Sequence, residues 1–264
     1  MRGGSRPVTL ALLALASAGA ALAEDRITVT ANGSTLTDTN GGAGGSLGWL
    51  HDLNANAVLG VAGEYQRLGD SRWKFGSLTG AWTGGGEGKK WSVYGGAHIG
   101  TGDEPVRTFD YRLGEVGAIL PLYRKLSLQV EDKQIDIDTT RGNLPKVGLS
   151  LSWTSRLQTS LAYARSVSGN LGTDLTTGRL DYYGSAAHFI LGGAAGPAST
   201  VVLNLPPGFN FPSRNLREGF IGFSHAFKRT EILVLGDYLK IGDSKRLTLT
   251  LSYTLHLNVP AKLK

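Results

Sequence analysis

Leu247-Thr248-Leu249-Thr250-Leu251-Ser252-Tyr253-Thr254-Leu255-His256-Leu257 alternates apolar and polar residues without a break. Successive side chains of a strand point to opposite faces, so this stretch reads as one strand with leucines and a tyrosine on one side and hydroxyls and an imidazole on the other. A sheet of such strands needs apolar surroundings on one face and water on the other. Lipid outside and a wet interior inside would satisfy both.

The start of the chain reads as an export leader. Arg2 and Arg6 precede an apolar run from Val8 to Ala18, and Ala21-Leu22-Ala23 forms a small-x-small cleavage site, so residues 1–23 read as a signal peptide and residues 24–264 as the mature domain. The apolar run is too short for a spanning helix, and no later segment approaches the roughly eighteen apolar residues that one needs. Membrane insertion is therefore expected through strands. The 38 glycines suit many tight turns, and the absence of cysteine excludes a disulfide framework and thiolate metal sites. The formal net charge is +6, which mildly favours anionic partners such as lipopolysaccharide phosphates.

Four more segments carry the period of two. Leu59, Val61 and Tyr65 alternate with Gly60, Ala62 and Glu64; Trp91, Val93, Ala97 and Ile99 with Ser92, Tyr94, Gly96 and His98. Leu126, Leu128 and Val130 alternate with Ser127, Gln129 and Glu131; Val147, Leu149, Leu151 and Trp153 with Gly148, Ser150 and Ser152. A soluble antiparallel sandwich also alternates, but the leader and the number of strands count against it. Between strands, a mostly short set of connections (residues 54–56, 84–89, 122–125, 155–156, 193–199 and 228–230) takes turns with a longer or more polar set (39–45, 69–72, 102–105, 139–143, 168–177, 206–215 and 242–244). Together they separate about 14 strands, with 12 and 16 as alternatives, and an even number puts both termini on the periplasmic side.

Under this topology Trp91, Tyr123, Trp153 and Phe227 fall beside the short turns, and Tyr65, Trp73, Phe109, Tyr111, Phe220 and Tyr238 toward the long loops. Two aromatic belts are what the two interfaces of a bilayer select. The apolar phase is odd in Phe109-Asp110-Tyr111-Arg112-Leu113 and even at Val116, Ala118 and Leu120, and Leu126 to Val130 gives way to Ile135 and Ile137. Either a bulge in each strand or extension beyond the bilayer would produce this. Segments 182–192 and 230–241 show no decisive phase.

On these residues, namely the leader, the meander of alternating strands, the aromatic belts and the amphipathic strand Leu247 to Leu257, the chain resembles bacterial outer-membrane β-barrel proteins, porins and exopolysaccharide-secretion barrels alike. The resemblance implies an all-β fold, a single transmembrane antiparallel β-barrel in the bacterial outer membrane. It also implies outer-membrane lipid and lipopolysaccharide as surroundings, the barrel-assembly machinery and an envelope secretion complex as partners, and no nucleic acid. Such barrels commonly end on an aromatic; here Val259-Pro260-Ala261-Lys262-Leu263-Lys264 follows the last strand.

Motifs for chemistry are weak. Gly44-Gly45-Ser46-Leu47-Gly48 matches a nucleophile elbow but lacks the strand-to-helix turn, and Gly69-Asp70-Ser71 and Gly242-Asp243-Ser244 are ordinary turn formers. Gly84 to Lys90 lacks the phosphate-loop spacing. Ser224 and His225 are adjacent and so point to opposite faces. Asp136 and Asp138 share a face next to a polar loop. No catalytic residues, metal site or cofactor are expected, and an outer-membrane lipid hydrolase is the least favoured reading. Glu64, His98, Gln129, Glu131, Asp237 and His256 are the expected lumen-lining residues, and a polar conduit for a solute or a polysaccharide is the expected function, with a structural partner in an envelope assembly as the alternative.

The facing assignment is testable in the last strand. Leu251→Arg, on the lipid side, should cost about 2–4 kcal/mol, and Thr250→Arg on the lumen side should cost less. Equal costs in reversible unfolding from lipid would put the register out by one residue.

Overall fold

A computed structural model describes residues 24–37, 39–86, 90–104, 107–198 and 214–257. The expected leader, the terminal segment Val259 to Lys264, Pro105 and most of the segment 206–215 lie outside the described residues. The strands are β1 Asp25–Leu36, β2 Thr39–Asn54, β3 Ala57–Leu68, β4 Ser71–Gly84, β5 Trp91–Glu104, β6 Arg107–Tyr123 and β7 Leu126–Ile137, followed by β8 Thr140–Ser152, β9 Leu157–Arg165, β10 Asp174–Tyr183, β11 Ala187–Ala198, β12 Arg214–Ala226, β13 Thr230–Ile241 and β14 Ser244–Leu257. Each pairs antiparallel with its sequence neighbours, and β1 pairs with β14, so the fourteen-stranded sheet closes on itself. No described helix is long and apolar enough to cross a membrane.

The last strand behaves as its pattern requires. Leu247, Leu249, Leu251 and Tyr253 are exposed on the outer face, whereas Arg246, Thr248, Thr250 and Ser252 are buried on the inner one. At the closing seam the inner hydroxyls meet those of β1: Thr28 Oγ1 lies 2.9 Å from Thr254 Oγ1, and Thr30 Oγ1 lies 2.8 Å from Ser252 Oγ. Cross-strand pairs of this kind contribute about 0.2–1 kcal/mol each, and here they also fix the register of closure.

Several connections differ from the sequence expectation. Residues 39–45 belong to β2, which begins at Thr39, soon after β1 ends at Leu36. Residues 193–198 belong to β11, and the short connection lies at Gly184-Ser185-Ala186, inside a segment whose phase the sequence left open. At the end away from the termini, β3–β4 and β13–β14 are joined by two-residue turns, Gly69-Asp70 and Gly242-Asp243, inside the expected connections 69–72 and 242–244. Gly69 and Gly242 take φ of 59° and 57°, the left-handed backbone that such hairpins demand.

The odd-to-even shift in β6 and β7 is not a bulge. Tyr111↔Ile137 through Pro121↔Ser127 pair in one unbroken register, and the irregularity comes later, between Pro121 and Tyr123, where it turns Tyr123 outward. What changes is which face is apolar. A spanning strand needs about 9–11 residues, and β2, β4, β5, β6 and β14 run to 14–17. Beyond the bilayer the outer face meets water, so the polar residues Arg72, Lys74, Asp110 and Arg112 turn out. Leu68, Trp73, Phe109, Tyr111, Ile135, Ile137 and Leu144 pack inside, with Ala164 and Leu171.

Leu171 comes from the connection Ser166–Thr173 between the two shortest strands, β9 and β10. That segment folds onto the β7–β8 turn: Asn170 N–H donates to Arg141 O at 2.9 Å, Arg141 N–H donates to Asn170 Oδ1 at 2.9 Å, and Val167 N–H donates to Asn143 O at 3.2 Å. Gly142 leaves the room in which Leu171 sits fully buried, since a Cβ there would lie 2.8 Å from Leu171 Cγ. A second inner apolar group, Leu175, Ala198, Leu216, Leu239 and Ile241, lines the wall of β10–β13 at the same end.

Ile135→Ala should therefore behave as a core truncation costing about 2–5 kcal/mol. Val116→Ala, on the lipid face at 63% exposure, should cost far less, because lipid fills the space. Unfolding in lipid bilayers checks the contrast; equal losses would contradict the change of face.

Candidate functional site: the inner wall

Period-two alternation places a row of side chains from every strand inside the barrel, and there the charged groups meet partners that the sequence did not reveal. On β5–β8, Glu131 is held from three sides: Tyr94 O–H donates to its carboxylate at 2.7 Å, Lys146 Nζ lies 2.8 Å away, and Lys133 Nζ 3.6 Å away. Lys133 also contacts Glu115 at 3.0 Å, and Gln129 Nε2 donates to Tyr94 Oη at 3.0 Å. The side chains of Glu131, Glu115 and Lys133 are almost completely buried. Taking such charges out of water is costly, so this network depends on all its members being present together.

A second group sits on β10 and β11. Arg179 binds Asp181 through Nε at 2.7 Å and through its terminal nitrogen, and His188 Nε2 lies 2.8 Å from Asp181 Oδ1. Tyr183 stacks on His188 with ring centroids 4.3 Å apart. In the register of β11 and β12, His188 faces Ser224. This falls short of a nucleophilic triad: among the described residues no hydrogen bond joins Ser224 to His188, and backbone N–H groups committed to strand pairing are not free to form an oxyanion hole.

Other inner pairs are Arg26–Asp52, Asp237–Arg246 at 3.3 Å and, at the mouth that carries the termini, His256–Glu24 at 2.7 Å. Glu64 accepts a hydrogen bond from Gln66 and, like Glu231, has no cation partner among the described residues. Between these groups the wall of β11–β14 and β1–β4 encloses a cavity of about 130 Å³. Thr30, Ser46, Thr79, Ser224 and Ser252 supply hydroxyls to it, Leu50, Ile190 and Leu233 apolar surface, and His188 and Glu231 the titratable groups.

All six expected lumen residues lie at inward positions, but in different company. His98 is buried, Gln129 and Glu131 share the β5–β8 network, Asp237 pairs with Arg246, His256 guards one mouth, and Glu64 stands apart. Of the aromatics, Tyr65, Tyr123, Trp153, Phe227 and Tyr238 are exposed outside, and Trp91 packs outside against Trp82 with centroids 6.2 Å apart. Trp73, Phe109 and Tyr111 are corrections: they are buried inside, for the reason given above for strands that outrun the bilayer. Phe220 is another, its ring lying over Gly192 on the inner wall, where a Cβ would come within 2.4 Å of Phe220 Cζ. His225 points outward and packs edge-on to Phe227 at 4.6 Å, opposite in face to Ser224 as alternation requires. Asp136 pairs with Arg141 at 2.8 Å, and no group of His, Cys, Asp and Glu among the described residues is arranged to hold a metal ion.

Sequence reasoning missed Glu115, Lys133, Lys146, Arg179, Asp181, His188 and Arg246. Lys133 could have been found by continuing the phase of Glu131. Glu115 was hidden because it shares its phase with Phe109 and Tyr111, which looked lipid-facing.

No family model matches the chain, and no curated protein matches it. Solved structures do. The fold is similar to that of the CymD monoaromatic hydrocarbon channel (TM-score 0.64, 12% identity, 97% of this chain and 94% of that one). It is similar too to a mutant of the TodX monoaromatic hydrocarbon channel (TM-score 0.54, 8% identity, 89% and 90%) and to the Acinetobacter baumannii outer membrane protein Omp33 (TM-score 0.51, 11% identity, 89% and 99%). The architecture is thus that of the bacterial outer-membrane porins and channels.

Glu131→Gln should destabilise the barrel by about 3–5 kcal/mol, because it leaves Lys133 and Lys146 buried with less compensating charge. Changing Glu131→Gln and Lys146→Gln together should cost less than the sum of the two single changes. Additive costs in unfolding experiments would show that these groups do not act as a unit.

Proposed function

We propose that this chain is a passive outer-membrane channel for small solutes of low net charge. The carrying observation is the inner wall: hydroxyl rows and short apolar patches surround a cavity of about 130 Å³, and most of the wall's charges are neutralised by one another. That volume is close to the roughly 150 Å³ that admits a benzene-sized molecule into a protein interior. The hydrocarbon channels with the same fold handle molecules of this size by name, which supports the reading. The apolar groups Trp73, Phe109, Tyr111 and Ile135 on one wall and Leu216, Leu239 and Ile241 on another, at the end away from the termini, weigh against a charged polymer as the cargo.

Within that reading, Glu64 and Glu231 are the carboxylates available to passing ions, because Glu131 and Asp237 are already held by cations. Glu64→Gln with Glu231→Gln should shift the reversal potential of the reconstituted barrel toward anions under a salt gradient while leaving it folded. A parent barrel that carries neither ions nor small uncharged solutes across a planar bilayer or vesicle wall would overturn the channel reading and favour a structural role in the envelope.

A further inference from the structure

Where β2–β5 run out of the bilayer, their outward residues form a grid set by the register. The outermost row is Ala43, Arg67, Arg72 and Asp103; the next is Gly45, Tyr65, Lys74 and Thr101; below it come Leu47, Gly63, Gly76 and Ile99, and then Trp49, Val61, Leu78 and Ala97. Three cations therefore stand together directly above an apolar field.

Two features of this grid run against the stability of the barrel by itself. Arg67 and Arg72 are direct cross-strand partners, about 4.5–5.5 Å apart at Cβ, where like charges are destabilising. Among the described residues neither they nor Lys74 form an ion pair: Arg67 Nε donates to Gly69 O at 3.0 Å, and Asp103, opposite Arg72, accepts instead from Thr108 Oγ1 at 3.0 Å. Elsewhere on the same rim, Arg112 and Arg141 are balanced by Asp110 at 3.4 Å and Asp136 at 2.8 Å. The second feature is the cross-strand glycine pair Gly63 and Gly76. A Cβ at Gly63 would meet nothing within 4 Å, and one at Gly76 only Ala62 O at 3.9 Å, so the fold itself does not require glycine at either position. Their missing side chains open a surface groove bounded by Leu47, Tyr65, Lys74 and Ile99.

We propose that this face is a docking site for a phosphorylated glycolipid of the lipid A type. Its phosphate is bridged by Arg67, Arg72 and Lys74, and an acyl chain lies in the groove over Gly63 and Gly76. With both termini on the periplasmic side, the rim faces the outer leaflet, where such a lipid resides. A phosphate offsets the repulsion between the two arginines, and guanidinium forks bind phosphate oxygens in pairs. The groove accounts for the chain. The proposal rests on the outer-membrane placement and not on conduction, so a barrel that does not conduct leaves it standing.

The test uses the full-length barrel folded in detergent micelles, titrated with diphosphoryl lipid A, with phosphatidylglycerol and with inorganic phosphate, binding being read as the rise in the thermal midpoint of the unboiled gel band. Diphosphoryl lipid A should bind the parent at least about tenfold more tightly than a variant carrying Arg67→Gln, Arg72→Gln and Lys74→Gln, the scale of one lost charge-assisted contact. Arg112→Gln with Arg141→Gln should bind as the parent does. Gly63→Leu with Gly76→Leu, which the open space accommodates, should weaken lipid A by closing the groove while the three cations remain, and it serves as the second arm if the triple variant folds poorly. Equal lipid A binding by parent, triple variant and groove variant would overturn the proposal. So would parent binding of inorganic phosphate or phosphatidylglycerol as tight as that of lipid A.

Discussion

In hydrocarbon a backbone N–H or C=O without a partner costs several kcal/mol, and this constraint governs the rest of the molecule. A sheet escapes it only by closing. Here closure is the pairing of β1 with β14 from Asp25↔Leu257 to Leu36↔Arg246, and the strand that completes it is also the one with the cleanest alternation. The hydroxyl contacts Thr28–Thr254 and Thr30–Ser252 at the seam tie side-chain chemistry to that closure. Because register and facing are coupled in a period-two structure, a slip of one residue there would turn the leucines of β14 into the interior.

Once the barrel is closed, its polarity follows from what surrounds each level of the wall. Against lipid, apolar side chains point out and hydroxyls point in. Past the bilayer the order inverts, and Phe109, Tyr111, Ile135 and Ile137 pack inside with Leu171 while Arg112 and Asp110 face water. One uninterrupted register runs through both zones of β6 and β7, so the inversion costs no backbone distortion. It leaves the end away from the termini with apolar groups on its inner wall.

The charges of the inner wall meet across strands as well as along them. Glu131 on β7 gathers Tyr94 from β5 and Lys146 from β8, and Lys133 on β7 reaches Glu115 on β6. Asp181 on β10 joins His188 on β11 to its own-strand neighbour Arg179. Low dielectric strengthens each pairing and penalises any vacancy, which makes these networks rigid parts of the wall. Glu64 and Glu231, outside them, remain available to the lumen.

The amino-acid sequence by itself determined the fold class, a strand number near 14 and the facing of the regular strands, because a period of two needs only local order to be read. Leu59 to Tyr65, Trp91 to Ile99 and Leu247 to Leu257 announce their outer faces without knowledge of any neighbour. Tertiary structure decided the rest. The true turn at Gly184-Ser185-Ala186 depends on pairings of β10 with β11 that the phase of 182–192 does not specify. Whether Trp73, Phe109 and Tyr111 meet lipid or the interior depends on where along the barrel the bilayer ends, a boundary common to all the strands and written in none of them singly. The cross-strand partners of Glu131, Asp181 and Asp237 depend on register, which brings together residues 7 to 37 positions apart according to turn lengths and not according to the identity of either residue.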